Sequence, residues 1–312
     1  MSANISFSSG ALQANDLIVT KLDGYEGLSQ LFRYEVQVAS QAINIDAQAV
    51  LAADATLGIK QGMALSGGGR GYRTVNINGV VCEFEQGEQV SKGWVSYRAV
   101  MVPHVWKLTR NVTSRVWIDK TTLQILEDLL AEHGLTGDDF EVRCNDSYPS
   151  RHFVMQYEES DFDFIARWLA HEGMFFYFEQ SDEGEKLIVG DDTSAYKPVI
   201  GAATLAYNPS SQQSAEIDEG GGTSDWTAEE VVTGFNRKQQ VSPKKVKLKD
   251  YNWMNTADAL EVEADINQLQ GGRGDSFGYG VQRVTNQNYQ VGPEGVRLAK
   301  VRAGEHIARE VV

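Results

Sequence analysis

A chain of 312 residues, 42% hydrophobic and 10% aromatic, has room for two or three domains with cores of their own and lacks the composition of a disordered chain. Its formal charge of −15 excludes a nucleic-acid binder, since holding a phosphate backbone needs clustered Lys and Arg. Cys82 and Cys144 show no metal spacing and no disulfide framework. The N-terminus has no signal-peptide pattern, and no window reaches the ~18 apolar residues of a membrane span.

In chain order, residues 17–40 read as two strands flanking a turn-rich connection, Asp23-Gly24-Tyr25-Glu26-Gly27. In the second strand Phe32, Tyr34, Val36 and Val38 alternate with Arg33, Glu35 and Gln37, which gives one buried and one wet face. Asp46 is placed to cap a short helix over Ala47 to Leu51. Thr56 to Lys60 reads as a short strand, Gly67-Gly68-Gly69 as a tip, and residues 72–86 and 94–102 as further strands. Many strands joined by Gly-containing turns predict an antiparallel barrel or sandwich ending near Pro103-His104-Val105-Trp106.

The texture changes after Arg110. Asp119 or Thr121 opens a helix, with Thr121 and Gln124 forming a capping box, Leu123, Leu126, Leu129 and Leu130 its stripe, and Glu132-His133-Gly134 its end. Phe153 to Tyr157 reads as a buried strand, and Ser160 with Asp163 opens a second helix whose face is Phe162, Ile165, Ala166 and Leu169. Gly173 closes it, with His171 in the last turn. An aromatic strand from Met174 to Phe178, a turn at Ser181-Asp182-Glu183-Gly184 and a return through Leu187-Ile188-Val189 complete a hairpin.

From about Ala215 strand texture resumes, with a joint at Gly220-Gly221-Gly222, strands over 231–240 and 246–253, and an ambiguous stretch at 260–290. Lys244-Lys245-Val246-Lys247-Leu248-Lys249 alternates as a strand with its charges toward solvent. A last helix, opened by Pro293, carries Val296, Ala299, Ala303, Ile307 and Val311 on one stripe and runs uncapped to the final residue, as expected if the natural chain continues. The predicted domains are a first β-barrel at 1–110, an α+β insert at 111–210, and a second, incomplete β-barrel region at 211–312.

No residue stands out as catalytic, cofactor-binding or metal-binding. Glu158, Glu159, Asp161 and Asp163 form an acidic cluster, but helix N-termini attract acids, so capping accounts for them. Asp191-Asp192 reads as a turn, and His104, His133, His152, His171 and His306 lack ligand spacing. No nucleophile elbow or P-loop is present, Gly271-Gly272-Arg273-Gly274 lacks the following Lys-Ser/Thr, and the Arg273-Gly274-Asp275 tripeptide is too common to carry weight.

Several blocks, in this order, resemble the N-terminal part of the VgrG family, the spike-hub proteins of type VI secretion. They are Gly24, Glu26, Gly27, Leu28, Ser29, Leu31 and Phe32; Asn78-Gly79-Val80-Val81 with Phe84; Tyr97-Arg98 and Val102-Pro103; Leu108-Thr109-Arg110 and Ser114-Arg115; and 121–130. The most specific block, Gln156-Tyr157-Glu158-Glu159-Ser160-Asp161-Phe162-Asp163-Phe164 with Glu172-Gly173, is followed by 246–252; the chain departs from the pattern between Asn255 and Gln290. The resemblance implies a mainly β fold with an α+β insert: two antiparallel β-barrel domains of phage tail hub type. It also implies a homotrimer whose six barrels match a hexameric Hcp tube on one side and a trimeric spike on the other. Baseplate components and effector or adaptor proteins would be its further partners, with no nucleic acid, cofactor or membrane span. Such a protein stays in the cytoplasm until firing and is then secreted without a signal peptide. A phage tail hub shares this fold, and an enzyme acting on cell-wall glycan is the reading from a different class.

Overall fold

The computed structural model describes residues 5–10, 12–65 and 69–197, with short pieces at 206–207, 231–232, 236, 245–249, 261–265, 281–285 and 301. The protein is mainly β with an α+β region. The N-terminal strands are β1 (Ile5–Ser9), β2 (Leu17–Tyr25) and β3 (Arg33–Ser40), followed by the short helix α1 (Ala47–Val50) and then β4 (Asp54–Leu65), β5 (Gly69–Ser91) and β6 (Trp94–Val102). They form one antiparallel sheet in the order β1-β4-β5-β6-β3-β2, which curls until its edge strands β1 and β2 are neighbours. Curling hides Phe7, Phe32, Val36, Val38, Leu57, Tyr97 and Met101 in one core, because alternate side chains of every strand point inward. Asp46 caps α1 as expected, its carboxylate accepting from the Gln48 amide at 2.9 Å.

Two sequence expectations change here. The segment at Asp23-Gly24-Tyr25 is not a connection but the end of β2, paired with β3. Gly24 lies opposite Tyr34, and a Cβ on it would fall 2.2 Å from the Tyr34 ring, so this glycine makes room for an aromatic ring across the ladder. The strand expected at 56–60 runs from Asp54 to Leu65, since pairing with the long β5 satisfies its backbone beyond the apolar run.

A 3-10 turn at His104–Arg110 leads to β7 (Val112–Trp117), α2 (Thr122–Glu132), β8 (Phe140–Arg143), β9 (Val154–Ser160), α3 (Asp161–Glu172), β10 (Phe175–Gln180) and β11 (Glu185–Gly190). β7 pairs only with β9 among the described residues, and β10-β11-β8 form a second small sheet. Both halves of the Thr121–Gln124 capping box are present. Gly134 and Gly173 take φ of +74° and +82°, and the amides that follow them return to Leu130 and Leu169, so both helices stop by the same left-handed glycine device. The core between them contains Trp117, Ile125, Leu126, Leu129, Leu130, Val154, Ile165 and Leu169. Phe164, outside the predicted stripe, is fully buried there, so the buried face of α3 is wider than one i, i+3, i+4 stripe. The strand expected to be buried at 153–157 is only half so: Val154 and Gln156 face inward, while Phe153, Met155 and Tyr157 are exposed.

Beyond residue 197 the described pieces include β12 (Ala206–Tyr207), paired with β13 (Val231–Val232). A separate compact unit contains β14 (Lys245–Lys249), β15 (Glu261–Asp265) and β16 (Val281–Thr285), in the order β15-β14-β16. In the lysine-rich strand Leu248 is buried and Lys247 is half-buried; the rest of the expected alternation lies outside the described side chains. Its backbone register sets Lys245, Lys247 and Lys249 opposite Asp265, Glu263 and Glu261, and the Lys247 side chain pairs with Glu261. β15 and β16 resolve two parts of the stretch that was ambiguous in sequence. The glycine runs at 67–68, 220–222 and 271–274, the Arg273-Gly274-Asp275 tripeptide and the helix expected from Pro293 lie outside the described residues.

Candidate functional site

Two polar assemblies stand out, and both join elements. The first is centred on Asp161, at the start of α3. Its side chain is fully buried and accepts four hydrogen bonds: from Arg115 Nη2 at 2.6 Å, Asn111 Nδ2 at 2.7 Å, and His133 Nε2 and Gln156 Nε2 at 2.8 Å. Arg115 also holds Glu132 at 2.6 Å and Gln156 at 3.0 Å. The end of the 3-10 turn, β7, the C-terminal end of α2 and β9 thus converge on one carboxylate. Burial by itself would raise its pKa, but the bonds from His133, Gln156, Asn111 and Arg115 outweigh that and hold it down to about 2. Of the acidic cluster, Asp163 is the partner of the Ser160 cap, its amide donating to Ser160 Oγ at 3.0 Å and its carboxylate accepting from that hydroxyl at 2.6 Å. Asp161 does not: it is a structural hub, contrary to the capping account, because its side chain turns into the core instead of toward its own helix end. Glu158 is exposed at φ +47° in a β-bulge, and Glu159 pairs with Arg167 at 2.5 Å.

The second assembly is the seam between the curled sheet and the β10–β11 hairpin. The Ser29 amide donates to the Phe176 carbonyl at 2.8 Å from a residue held at φ +56°. Asn78 gives its amide to Gln180 Oε1 at 2.8 Å and its side-chain NH2 to the Ser181 carbonyl at 2.7 Å, while Thr56 donates to its Oδ1 at 2.9 Å. A Cβ on the neighbouring Gly79 would lie 2.4 Å from the Val102 carbonyl, so only glycine lets β5 approach there. Phe32 meets Phe178 edge-on at 5.2 Å, and Phe178 packs against both cores. Ser29 and Phe32 of the first resemblance block and Asn78 of the second are therefore among the residues that dock the hairpin.

His104 closes this seam. Its Nδ1 lies 3.0 Å from Glu185 Oε1 and its Nε2 3.0 Å from Asp54 Oδ1, and its backbone amide donates to Glu185 as well. With a carboxylate at each ring nitrogen, both bonds form only when the ring is the imidazolium. The bond to Glu185 raises the His104 pKa against the opposing effect of burial, with Asp54 adding to the rise. Burial raises that of Glu185 although His104 pulls it down. A His pKa higher in the folded state means stabilisation that is complete below the unfolded value near ~6.5 and is lost as pH rises through the folded value. His104→Gln is expected to flatten the fall of melting temperature as pH rises above about 6.5, read by calorimetry across a pH series; an unchanged slope would assign the dependence elsewhere.

The remaining sequence candidates are tied up locally. Asp191 accepts from the Asn145 and Asp146 amides at 2.9 and 2.8 Å and from Tyr148 Oη at 2.9 Å, and Asp192 caps a 3-10 turn through the Ser194 amide. His152 pairs with Asp119 at 3.0 Å on the surface, and His306 lies outside the described residues. Cys82 and Cys144 are free, and burial pushes the Cys144 thiol up to about 11. Among the described residues no group of three or more His, Cys, Asp or Glu is placed to hold a metal ion, and no helix is long and apolar enough to cross a membrane. Sequence reasoning missed Arg115, Asn111 and Gln156 as partners of Asp161. The alternation of β7 and β9, which turns polar side chains inward, could have signalled Arg115 and Gln156; Asn111, at the end of the 3-10 turn, had no such signal.

Residues 25–312 match the family described as phage tail baseplate hub (GPD). The type VI secretion system spike protein VgrG4b of Pseudomonas aeruginosa is 32% identical over 196 residues, covering 63% of this chain and 23% of that protein. Its counterpart VgrG1c is 27% identical over 254 residues, covering 81% of this chain and 32% of that protein. The chain thus spans about a quarter to a third of the length of these curated relatives. Among solved structures, the E. coli c3393 protein, a component of the type VI secretion system similar to the T4 tail proteins gp27 and gp5, is 28% identical. It covers 62% of this chain and 53% of its own at a TM-score of 0.50. The 43 kDa tail protein of prophage MuSo2 from Shewanella oneidensis shares the fold across 99% of this chain and 79% of its own, at 13% identity and a TM-score of 0.52.

Proposed function

This chain belongs to the phage tail baseplate hub family, and on that premise we propose that it is a structural spike-hub subunit of a type VI secretion machine. Three copies would form a ring adapting a hexameric Hcp tube to a trimeric spike, with baseplate and effector or adaptor proteins as further partners. It would wait in the cytoplasm and leave through the apparatus. The observation that carries this reading is the family match from residue 25 to 312, supported by likeness to several VgrG spike proteins. The polar groups fit it: Asp161, Arg115, Asn78 and His104 are spent on joining elements, which is what a part that transmits force requires. The division into a first barrel at 1–110, an α+β insert at 111–210 and a second barrel region at 211–312 belongs to the same proposal. Two barrels per chain turn threefold into sixfold geometry, a physical reason for duplicated β domains.

Deleting the gene in the bacterium of origin is expected to stop Hcp release into the medium, and the wild-type gene to restore it. Unchanged release would overturn the type VI reading. A loss of phage particles instead would favour a tail hub, the reading supported by the fold shared with the Shewanella prophage protein. The chain is proposed not to act on cell-wall glycan; peptidoglycan release by the purified protein, abolished by Glu158→Ala or Asp163→Ala, would contradict that.

A further inference from the structure

The β7–β9 ribbon has a covered face and an open one. Inward, Arg115, Trp117, Val154 and Gln156 meet α2, α3 and Asp161. Outward, β7 presents Val112, Ser114 and Val116 and β9 presents Met155 and Tyr157, with Val116 directly opposite Met155. Ile118 and Phe153 extend the same face by one step. Its six large apolar side chains are 46–64% exposed and make up six of the thirteen exposed large hydrophobics among the described residues. Charge is confined to the ends, at the exposed Glu158 on one side and the His152–Asp119 pair on the other.

We propose that this face is where a second copy of the chain docks within the ring of subunits, an inference that rests on the hub reading. Two features select another copy as the occupant. Each copy carries a formal −15, so like chains repel unless they meet where charge is absent, and this face carries none between Ser114 and Ile118. Its extent also suits the apolar centre of a contact between copies. Taking about 150–250 Å² for Phe153 and Tyr157 in full and the lower end of that range for Val, Ile and Met, the six present roughly 600 Å² of mostly apolar surface. A stable interface takes about 800 Å² from each partner, so the patch would supply most of one side, and apolar patches at this upper end of the ordinary size are often functional. The pleated ribbon offers its alternate side chains to a neighbouring β surface as in sheet-on-sheet packing.

The test is sedimentation of the full 312-residue chain over a concentration series, beside the double variant Met155→Glu/Tyr157→Glu and the separate variant Phe153→Ser. Both variants alter exposed side chains, so their melting temperatures at low concentration are expected to match the wild type. The wild type is expected to reach a trimer. The double variant should need at least ~30-fold more protein to associate, and Phe153→Ser an intermediate amount. Trimers of unchanged stability in both variants would overturn the assignment of this face while leaving the hub reading intact. A wild-type chain that stays monomeric throughout would overturn it too, whereas the hub reading is decided separately by Hcp release.

Discussion

Replacing Asp161 with Ala is expected to cost the protein about 3–5 kcal/mol, the range for removing one partner of a buried ionic group. Arg115 would lose its buried counter-charge, and His133, Gln156 and Asn111 would lose their shared acceptor. An unpaired buried donor costs more than the bond it made contributed, because its water is not returned. Asp161→Asn keeps the shape, removes the charge and should fall between Ala and wild type. Denaturant unfolding at neutral pH measures both. The pH dependence gives an independent check. With its folded pKa at about 2, below the unfolded ~3.9, Asp161 contributes stability that is complete above pH ~4 and lost as pH falls through the folded value. The Ala variant should lose that part of the acid dependence. A variant as stable as the wild type, with the same acid limb, would show that the hub position carries no structural weight.

Phe32→Ala is the second large effect. Phe32 is 1% exposed, packs edge-on against Phe178 at 5.2 Å and meets Tyr34 at 5.8 Å. Deleting a fully buried Phe costs about 3–5 kcal/mol in transfer and cavity terms. The position has a further consequence, because Phe178 packs against both cores. The loss should therefore loosen the hairpin as well as the curled sheet, and the Asn78 bonds to Gln180 and Ser181 would no longer be held in register. A double-mutant cycle with Phe178→Ala should give a coupling of about 0.5–1.5 kcal/mol from the ring pair. Strict additivity in denaturant unfolding would refute the claim that the two rings act as one joint.

Much of the local structure was legible in the sequence, for identifiable reasons. The Thr121–Gln124 box, the caps at Asp46 and Ser160 and the glycine stops at Gly134 and Gly173 all follow from residues within four positions of one another. Mainly β architecture with an α+β region also followed, from strand spacing and from the resemblance carried by the ordered blocks. What sequence got wrong were positions whose partners lie far along the chain. Gly24 looked like a turn residue because its reason, the Tyr34 ring, sits across a ladder. Met155 and Tyr157 looked buried because an apolar run does not say which face has a cover.

The sequence by itself determined the class of the protein, the caps and stops of the helices at 122–132 and 161–172 and the absence of a recognisable catalytic motif, since these depend on composition, short-range periodicity and ordered blocks. Only the tertiary structure decided what the acids and histidines do. Asp161 became the acceptor for four donors drawn from residues 111, 115, 133 and 156, and His104 the tie between Asp54 and Glu185. Hydrogen bonding acts over about 3 Å in space whatever the separation along the chain, so a side chain's role is set by neighbours that folding brings to it.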